Sequence, residues 1–427
     1  MDKLVIEGGK PLSGSIVIQG AKNAALPILA ASMLVKGTVT LDHVPRLLDI
    51  EVMLEILREL GCRADHNGHT VSLDTTAAHS AHVPEALMRQ MRSSIFLMGP
   101  LLSRFGKVEI YQPGGCAIGE RKIDLHLRGL QMLGAEIEEQ GSRIICRTQG
   151  LIGAEIHLDF PSVGATENLM MAAVLASGVT TINNAAREPE IQDLQNFLNH
   201  MGAKVSGAGS DTITVEGVQS LVPGRYKVIP DRIVSGTVMV AAAVTGGEVV
   251  LHNTNPAHLT SLIHVLRRAG VEVTADGDII KVSSRGRLRS IDRIVTSPYP
   301  AFPTDLQSQV MVLLALADGV SVIKETIFEG RFRHVDELAR MGADIRVDMN
   351  SAFIRGVSRL YGAAVAATDL RAGAALVIAG LAAQGKTIVE QVHHIDRGYD
   401  RIETMFSRLG ARITRFSSVS GTQSVSG

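Results

Sequence analysis

The chain has no tryptophan in 427 residues, and aromatic residues make up only 4% of it. That leaves few ring platforms on which nucleic-acid bases could stack. An excess of one charge is also missing: 42 Lys and Arg stand against 43 Asp and Glu, giving a net charge of −1. No whole-chain basic field points to nucleic acid or to an anionic membrane. Cysteine is scarce. Cys62, Cys116 and Cys146 cannot form a disulfide framework, and an odd count suits a reducing compartment, so a cytoplasmic location is expected. The opening MDKLVIEGGK lacks the apolar core of a signal peptide. The longest apolar stretch, 233–251, is interrupted by Ser, Thr, three Gly and Glu248, and falls short of the ~20 apolar residues of a membrane span. The phosphate-loop pattern GxxxxGK[ST] is absent.

What is present repeats. An amphipathic stretch ends in a glycine and a β-prone run follows, in ELGCRA, MLGAEI, HMGAKV, RAGVEV, RMGADI and RLGARI. The glycines are Gly61, Gly134, Gly202, Gly270, Gly342 and Gly410, about 70 residues apart. Self-similarity at a fixed period indicates a repeat architecture. Each unit holds a second, almost wholly apolar helix, at 24–37, 93–106, 166–178, 236–247, 305–319 and 373–385. A helix apolar all round is buried; one with a charged face, such as HLTSLIHVLRRAG, lies outside. Short alternating runs such as RIICRT and TITVEG read as strands. The predicted class is α/β, in two domains of three units.

The residues just before each buried helix are then equivalent, one set per unit. They are Lys22-Asn23, Arg92, Ser162-Val163-Gly164, Asp231-Arg232, Thr304-Asp305 and Asp369-Leu370-Arg371. Helix N-termini offer free N–H donors and positive partial charge. Gathered at one end of each domain and facing one another, they would receive an anionic substrate.

Chemistry concentrates in YQPGGCAIGERKIDLH, 111–126. Pro113, Gly114, Gly115 and Gly119 make 112–121 a mobile loop. Cys116 lies within it, near Arg121 and Lys122, and nearby cations favour thiolate. An inert small hydrophobe is the commoner fate of a free cysteine; the loop context favours function at Cys116, whereas Cys62 and Cys146 sit in strand positions. His393-His394 has no companion ligands at zinc-like spacing, and on a strand the two side chains would point oppositely. No metal and no cofactor are expected. The tail 417–427, Ser- and Gly-rich, is expected to be disordered.

PGGCAIG, with GAKNAALPILAA, SVGAT, EPEI, PDRI, FPTD, TDLRAGA and HIDRGY, resembles the UDP-N-acetylglucosamine 1-carboxyvinyltransferases, a branch of the enolpyruvyl transferases, across about residues 1–415. The resemblance implies two inside-out α/β barrels of three units each, 22–229 and 1–21 with 230–427. It implies transfer of the enolpyruvyl group of phosphoenolpyruvate to the 3-hydroxyl of UDP-N-acetylglucosamine, with release of phosphate, in peptidoglycan synthesis. No nucleic acid, membrane or obligatory protein partner is implied.

By the same resemblance Cys116 is the proton donor and can carry a phospholactoyl adduct, and Asp305 is the base. Lys22, Arg121 and Arg397 match cations for phosphoenolpyruvate. Asn23, Arg92, Arg121, Lys122, Ile123, Asp124, Leu125, Ser162, Val163, Gly164, Asp305 and Ile327 match positions that hold the UDP-sugar. Asp369 and Arg371 match active-site residues of the second barrel, with Asp369 expected to orient Lys22 or the tetrahedral intermediate. Plainer readings stand beside these: Asp231 and Asp305 as helix caps, Arg397 as the start of the last helix.

The chain departs from the family pattern at Leu48 and Phe160, where many or some members carry lysine. It also departs at Val234, Tyr299, Gly330 and Arg333, expected on the second barrel's cleft wall. Two other readings differ in class or acceptor. One is a 5-enolpyruvylshikimate-3-phosphate synthase, whose pattern lacks the PGGC loop; the other is a non-catalytic UDP-sugar sensor, which needs no acid.

Overall fold

The computed structural model describes residues 2–114, 118–119 and 122–417. Gly115, Cys116, Ala117, Glu120, Arg121 and the tail beyond 417 lie outside the described residues.

The described chain divides into two compact units. One comprises Gln19–Arg232 with Ser297–Pro303. The other comprises Met1–Ile18, Ile233–Thr296 and Thr304–Gly427. Both are α/β, with mixed sheets.

The repeat is direct. In the first unit the helix Lys22–Ala31 leads to the strand Thr38–Asp42, the helix Leu48–Glu59 and the hairpin Arg63–Asn67 with Thr70–Asp74. Thr38–Asp42 pairs antiparallel with Thr70–Asp74, which pairs antiparallel with Arg63–Asn67. A short strand, Arg225–Lys227, adds parallel to Thr38–Asp42. The same order of one parallel and two antiparallel pairings recurs around Val179–Asn183, Glu248–His252 and Val320–Lys324. Around Lys107–Tyr111 the parallel neighbour shrinks to a single bridge, His82 to Glu109. The sixth sheet is completed from the other end of the chain: Lys3–Glu7 lies between Lys386–Glu390 and Arg412–Phe416.

Two edge strands are exchanged. Glu155–His157 precedes the helix Val163–Ala173 and pairs with the strand after it, Val179–Asn183. By that rule Ser13–Val17 would pair with Thr38–Asp42, and Arg225–Lys227 with Glu248–His252. Instead Ser13–Val17 pairs with Glu248–His252, and Arg225–Lys227 with Thr38–Asp42. The exchange places the first strands of the chain with the later sequence.

Helix placement follows side-chain pattern. Gln307–Ala315 is buried at every position, and Leu370–Ala382 from Arg371 to Leu381. Leu48–Glu59 buries Ile50, Met53, Leu54 and Leu57, a 3.6-residue stripe, and exposes Glu51, Glu55 and Glu59. The six repeat glycines all take positive φ, from +86° at Gly410 to +98° at Gly202. There a side chain would be strained, so glycine turns the helix into the following strand. The stretch 93–106 is less regular than its apolar pattern predicts. Arg92–Leu97 is a 3-10 run and the α-helix is only Met98–Phe105. Pro100 has no N–H for an i−4 bond, so it suits a first turn and not a helix interior.

Candidate active site

In the unit of Gln19–Arg232, Lys22 begins the first buried helix, whose N-cap, Ala21, supplies no side-chain bond. Two distant carboxylates serve this end. Asp231 Oδ2 accepts the Lys22 backbone N–H at 3.2 Å, and Asp49 Oδ2 accepts from Lys22 Nζ at 3.0 Å. Asp231 therefore caps the helix that starts at Lys22. The Lys22–Asp49 pair is buried, with side-chain exposures of 11% and 4%. Asp49 is thus a carboxylate on Lys22 that the sequence reading does not single out. Asn23 beside it is half-buried.

Ser162, the N-cap of Val163–Ala173, accepts from the Ala165 N–H at 3.3 Å. Ser162, Val163 and Gly164 are half-buried, so this helix start keeps backbone donors near the surface. His126 packs beneath it: a Cβ on Gly164 would lie 3.3 Å from the imidazole. Burial and the charge of Arg92 push the His126 pKa down to about 3, so the ring is neutral. Its Nδ1 meets the Asn168 amide at 3.0 Å, and the same amide donates to Ile95 O at 2.7 Å. Arg92 is half-buried at the start of its 3-10 run. Lys122 and Asp124 are exposed, Ile123 and Leu125 half-buried. Asp124 pairs with Arg128 at 2.8 Å on the helix surface.

The loop carrying Cys116 is described at its edges. Gly114 N–H donates to Met88 O at 3.0 Å, and a Cβ on Gly114 would stand 1.7 Å from the Arg89 carbonyl. This glycine answers a close approach of backbone, not a need for freedom. Ile118 is buried, and Gly119 takes a φ of +133°. Cys116 and Arg121, expected as acid and phosphate cation, lie outside the described residues. The other two thiols are buried, and desolvation pushes Cys62 up to about 11 and Cys146 up to about 12.

In the other unit Asp305 sits in the 3-10 turn Thr304–Leu306 before the helix Gln307–Ala315, whose N-cap, Leu306, gives no side-chain bond. Its carboxylate is gripped on both oxygens: Arg331 Nη2 donates to Oδ1, and Arg371 Nη2 donates to Oδ2 at 3.0 Å. Asp305 keeps 28% side-chain exposure, while Arg331 and Arg371 keep 2% and 5%. Asp369 caps its own helix, accepting from the N–H groups of Arg371 and Ala372 at 2.9 and 3.1 Å, and lies 3.9 Å from Arg331. His334, fully buried beside Asp369 and Arg331, is kept neutral by burial.

Ile327 is held through Glu325. The Glu325 carboxylate accepts from Thr296 Oγ1, Thr304 Oγ1 and the Ile327 N–H at 2.8, 3.0 and 2.8 Å. Arg397 ends the 3-10 run Val392–Arg397, and the last α-helix begins only at Ile402. His393 and His394 lie in that run and not on a strand; their rings are tilted by 37° with centroids 4.1 Å apart. Among the described residues no group of three or more His, Cys, Asp and Glu is placed to hold a metal ion. No helix there is long and apolar enough to cross a membrane.

The departures fall in different places. Leu48 and Phe160 are exposed, at 46% and 45%. Val234 is 1% exposed inside the helix Arg232–Val244, a core position and not a wall. Tyr299 groups with the unit of Gln19–Arg232: Arg232 lies over its ring at 5.6 Å, and its N–H donates to Glu188 at 3.4 Å. Arg333 is exposed and Gly330 half-buried.

Known proteins share this arrangement of sequence. The profile of the EPSP synthase (3-phosphoshikimate 1-carboxyvinyltransferase) family matches residues 6–406. A UDP-N-acetylglucosamine 1-carboxyvinyltransferase 2 of Carboxydothermus hydrogenoformans is 55% identical over 419 residues, 98% of this chain and 100% of that protein. The chain belongs to this family of enolpyruvyl transferases. Another relative, the UDP-N-acetylglucosamine 1-carboxyvinyltransferase 2 of Caldanaerobacter subterraneus, is 52% identical over 97% of this chain and 100% of that protein. Among solved structures the enolpyruvyl transferase NikO of Streptomyces tendae matches with a TM-score of 0.87 at 26% identity, covering 97% of this chain and 98% of that one. An EPSP synthase of Acinetobacter baumannii shares the fold, with a TM-score of 0.75 at 19% identity over 98% of this chain and 100% of that one.

Proposed function

We propose that this chain transfers the enolpyruvyl group of phosphoenolpyruvate to the 3-hydroxyl of UDP-N-acetylglucosamine and releases phosphate, the first committed step of peptidoglycan synthesis. The observation that carries the reading is identity of 52% and 55%, over nearly the whole chain, to two enzymes named for that transfer. The chemistry needs a base for the sugar hydroxyl, an acid for the methylene carbon, and cations for a phosphate and a carboxylate.

Asp305 takes the hydroxyl proton, and the sugar oxygen bonds to C2 of phosphoenolpyruvate. Cys116 gives its proton to the methylene carbon, which leaves a tetrahedral adduct with phosphate still on C2. The bond from C2 to the phosphate oxygen then breaks, the new methyl group returns a proton to the Cys116 thiolate to give the enol ether, and the proton held by Asp305 leaves with the phosphate. Two guanidinium groups grip both oxygens of Asp305 and fix the direction of its carboxylate before substrate arrives, while the same cations favour its anion and weaken it as a base. Lys22, Arg121 and Arg397 hold phosphoenolpyruvate. Asn23, Arg92, Arg121 to Leu125, Ser162 to Gly164 and Ile327 hold the UDP-sugar, with anionic groups drawn to helix starts such as that at Val163. Asp369 and Arg371 serve the adduct. The architecture we assign is two inside-out α/β barrels, 22–229 and 1–21 with 230–427.

Phosphate release from phosphoenolpyruvate tests the reading. It should require UDP-N-acetylglucosamine. Release with shikimate 3-phosphate in its place would move the chain to the sister activity, and no release with either acceptor would make it a sensor.

A further inference from the structure

We propose that Asp49 is a positioning residue for Lys22, fixing the ammonium that receives phosphoenolpyruvate. The inference rests on the reading of Lys22 given above. Three observations carry it. First, the Lys22–Asp49 contact is 3.0 Å and nearly closed to water, with side-chain exposures of 11% and 4%. A lysine ammonium on a four-carbon stem is otherwise mobile, and holding it lowers the entropy lost when it binds an anion. Second, Lys22 stands at the first position of its helix, where the positive end of the helix opposes a cation. Asp49 and Asp231, from sequence 27 and 209 residues away, bring negative charge to that end. Third, Asp49 lies in the first turn of Leu48–Glu59, where a carboxylate is favoured by the helix field. An ammonium has three N–H donors. One is spent on Asp49, which leaves donors for an arriving phosphate.

The test is steady-state kinetics on the full chain with Asp49→Asn and Asp49→Glu, beside Lys22→Met. Asp49→Asn should raise the KM for phosphoenolpyruvate by about 10- to 10²-fold, the scale of a hydrogen bond to a charged group. The KM for UDP-N-acetylglucosamine should stay within about twofold, which general damage to the fold would not allow. Asp49→Glu keeps the charge and should recover part of the loss. If both Asp49 variants keep the wild-type KM for phosphoenolpyruvate while Lys22→Met raises it, Asp49 has no positioning role. If Lys22→Met leaves that KM unchanged, the reading of Lys22 falls first and the inference with it. Asp49→Asn could fail to fold, as a thermal melt would reveal. Asp49→Ser, which also removes the charge, then takes its place: a KM for phosphoenolpyruvate raised above wild type upholds the proposal, and an unchanged one overturns it.

Discussion

Arg371 reaches back 66 residues in sequence to donate to Asp305 Oδ2 at 3.0 Å, and Arg331 takes the other oxygen of the same carboxylate. A side chain so held is a poor rotor and a well-placed acceptor. Replacing Asp305 with Ala should lower turnover by about 10²–10⁴, the usual worth of a positioned general base. The KM for phosphoenolpyruvate should change less than turnover does. Turnover near wild type, measured by phosphate release, would leave Asp305 as no more than a partner for its two arginines.

The backbone at the entry to the cysteine loop gives a second expectation. A Cβ at Gly114 would overlap the Arg89 carbonyl at 1.7 Å. Gly114→Ala must therefore push this stretch away from its bond to Met88 O. Turnover should fall by roughly 10²-fold, as for other ångström-scale misplacements, while the melting temperature hardly moves. Kinetics and a thermal melt on the same preparation check both halves. Unchanged kinetics would mean that the loop does its work wherever this end is pinned.

A buried acid with no assigned step offers a pH test. Glu167 is fully buried, and neither of its oxygens has a hydrogen-bond partner among the described residues. Burial, with Glu190 and Glu188 nearby, raises its pKa well above the ordinary 4.5. A raised carboxylate holds its proton in the folded state after the unfolded chain has released it. Stability is then complete below about pH 4.5 and falls as pH rises toward the folded value. Glu167→Gln has no proton to lose. Its melting temperature should gain on wild type as pH rises from 5 to 8, and a constant gap would rule out this linkage.

The alternation of buried and amphipathic helices was legible because one class is apolar all round and the other carries a 3.6-residue stripe. The repeat glycines were legible because a positive φ admits few other residues. Apolar content marked 93–106 as one buried helix; the burial is there, but its first part is the 3-10 run Arg92–Leu97, and Pro100 falls in the first turn of the short α-helix that follows. The partners of the candidate site were not legible. Asp49 reads as a routine first-turn acid, and its contact with Lys22 is made only by packing of two helices. Arg331 stands in FEGRF as one basic residue among many, and only the fold brings it to Asp305. The exchange of Ser13–Val17 with Arg225–Lys227 is hidden for the same reason, since short strands do not encode their distant partner.

The three thiols should separate cleanly under an epoxide that mimics phosphoenolpyruvate, such as fosfomycin. Cys62 and Cys146 are buried, with pKa values pushed up to about 11 and about 12. At pH 7.5 about one part in 10³ or less of either would be thiolate, and the thiolate is the nucleophile. Cys116 lies in sequence beside Arg121 and Lys122, cations that favour thiolate. In the proposed site Lys22, Arg121 and Arg397 hold the drug's phosphonate, and holding the epoxide carbon near sulfur raises the effective concentration of the nucleophile. Mass spectrometry after treatment with UDP-N-acetylglucosamine present should therefore find one adduct, on Cys116. Aspartate can give a proton but alkylates poorly, so Cys116→Asp should keep part of the turnover and resist the drug. Serine is too weak an acid, and Cys116→Ser should lose most turnover. An adduct on Cys62 or Cys146 with Cys116 unmodified would remove Cys116 from the role of acid.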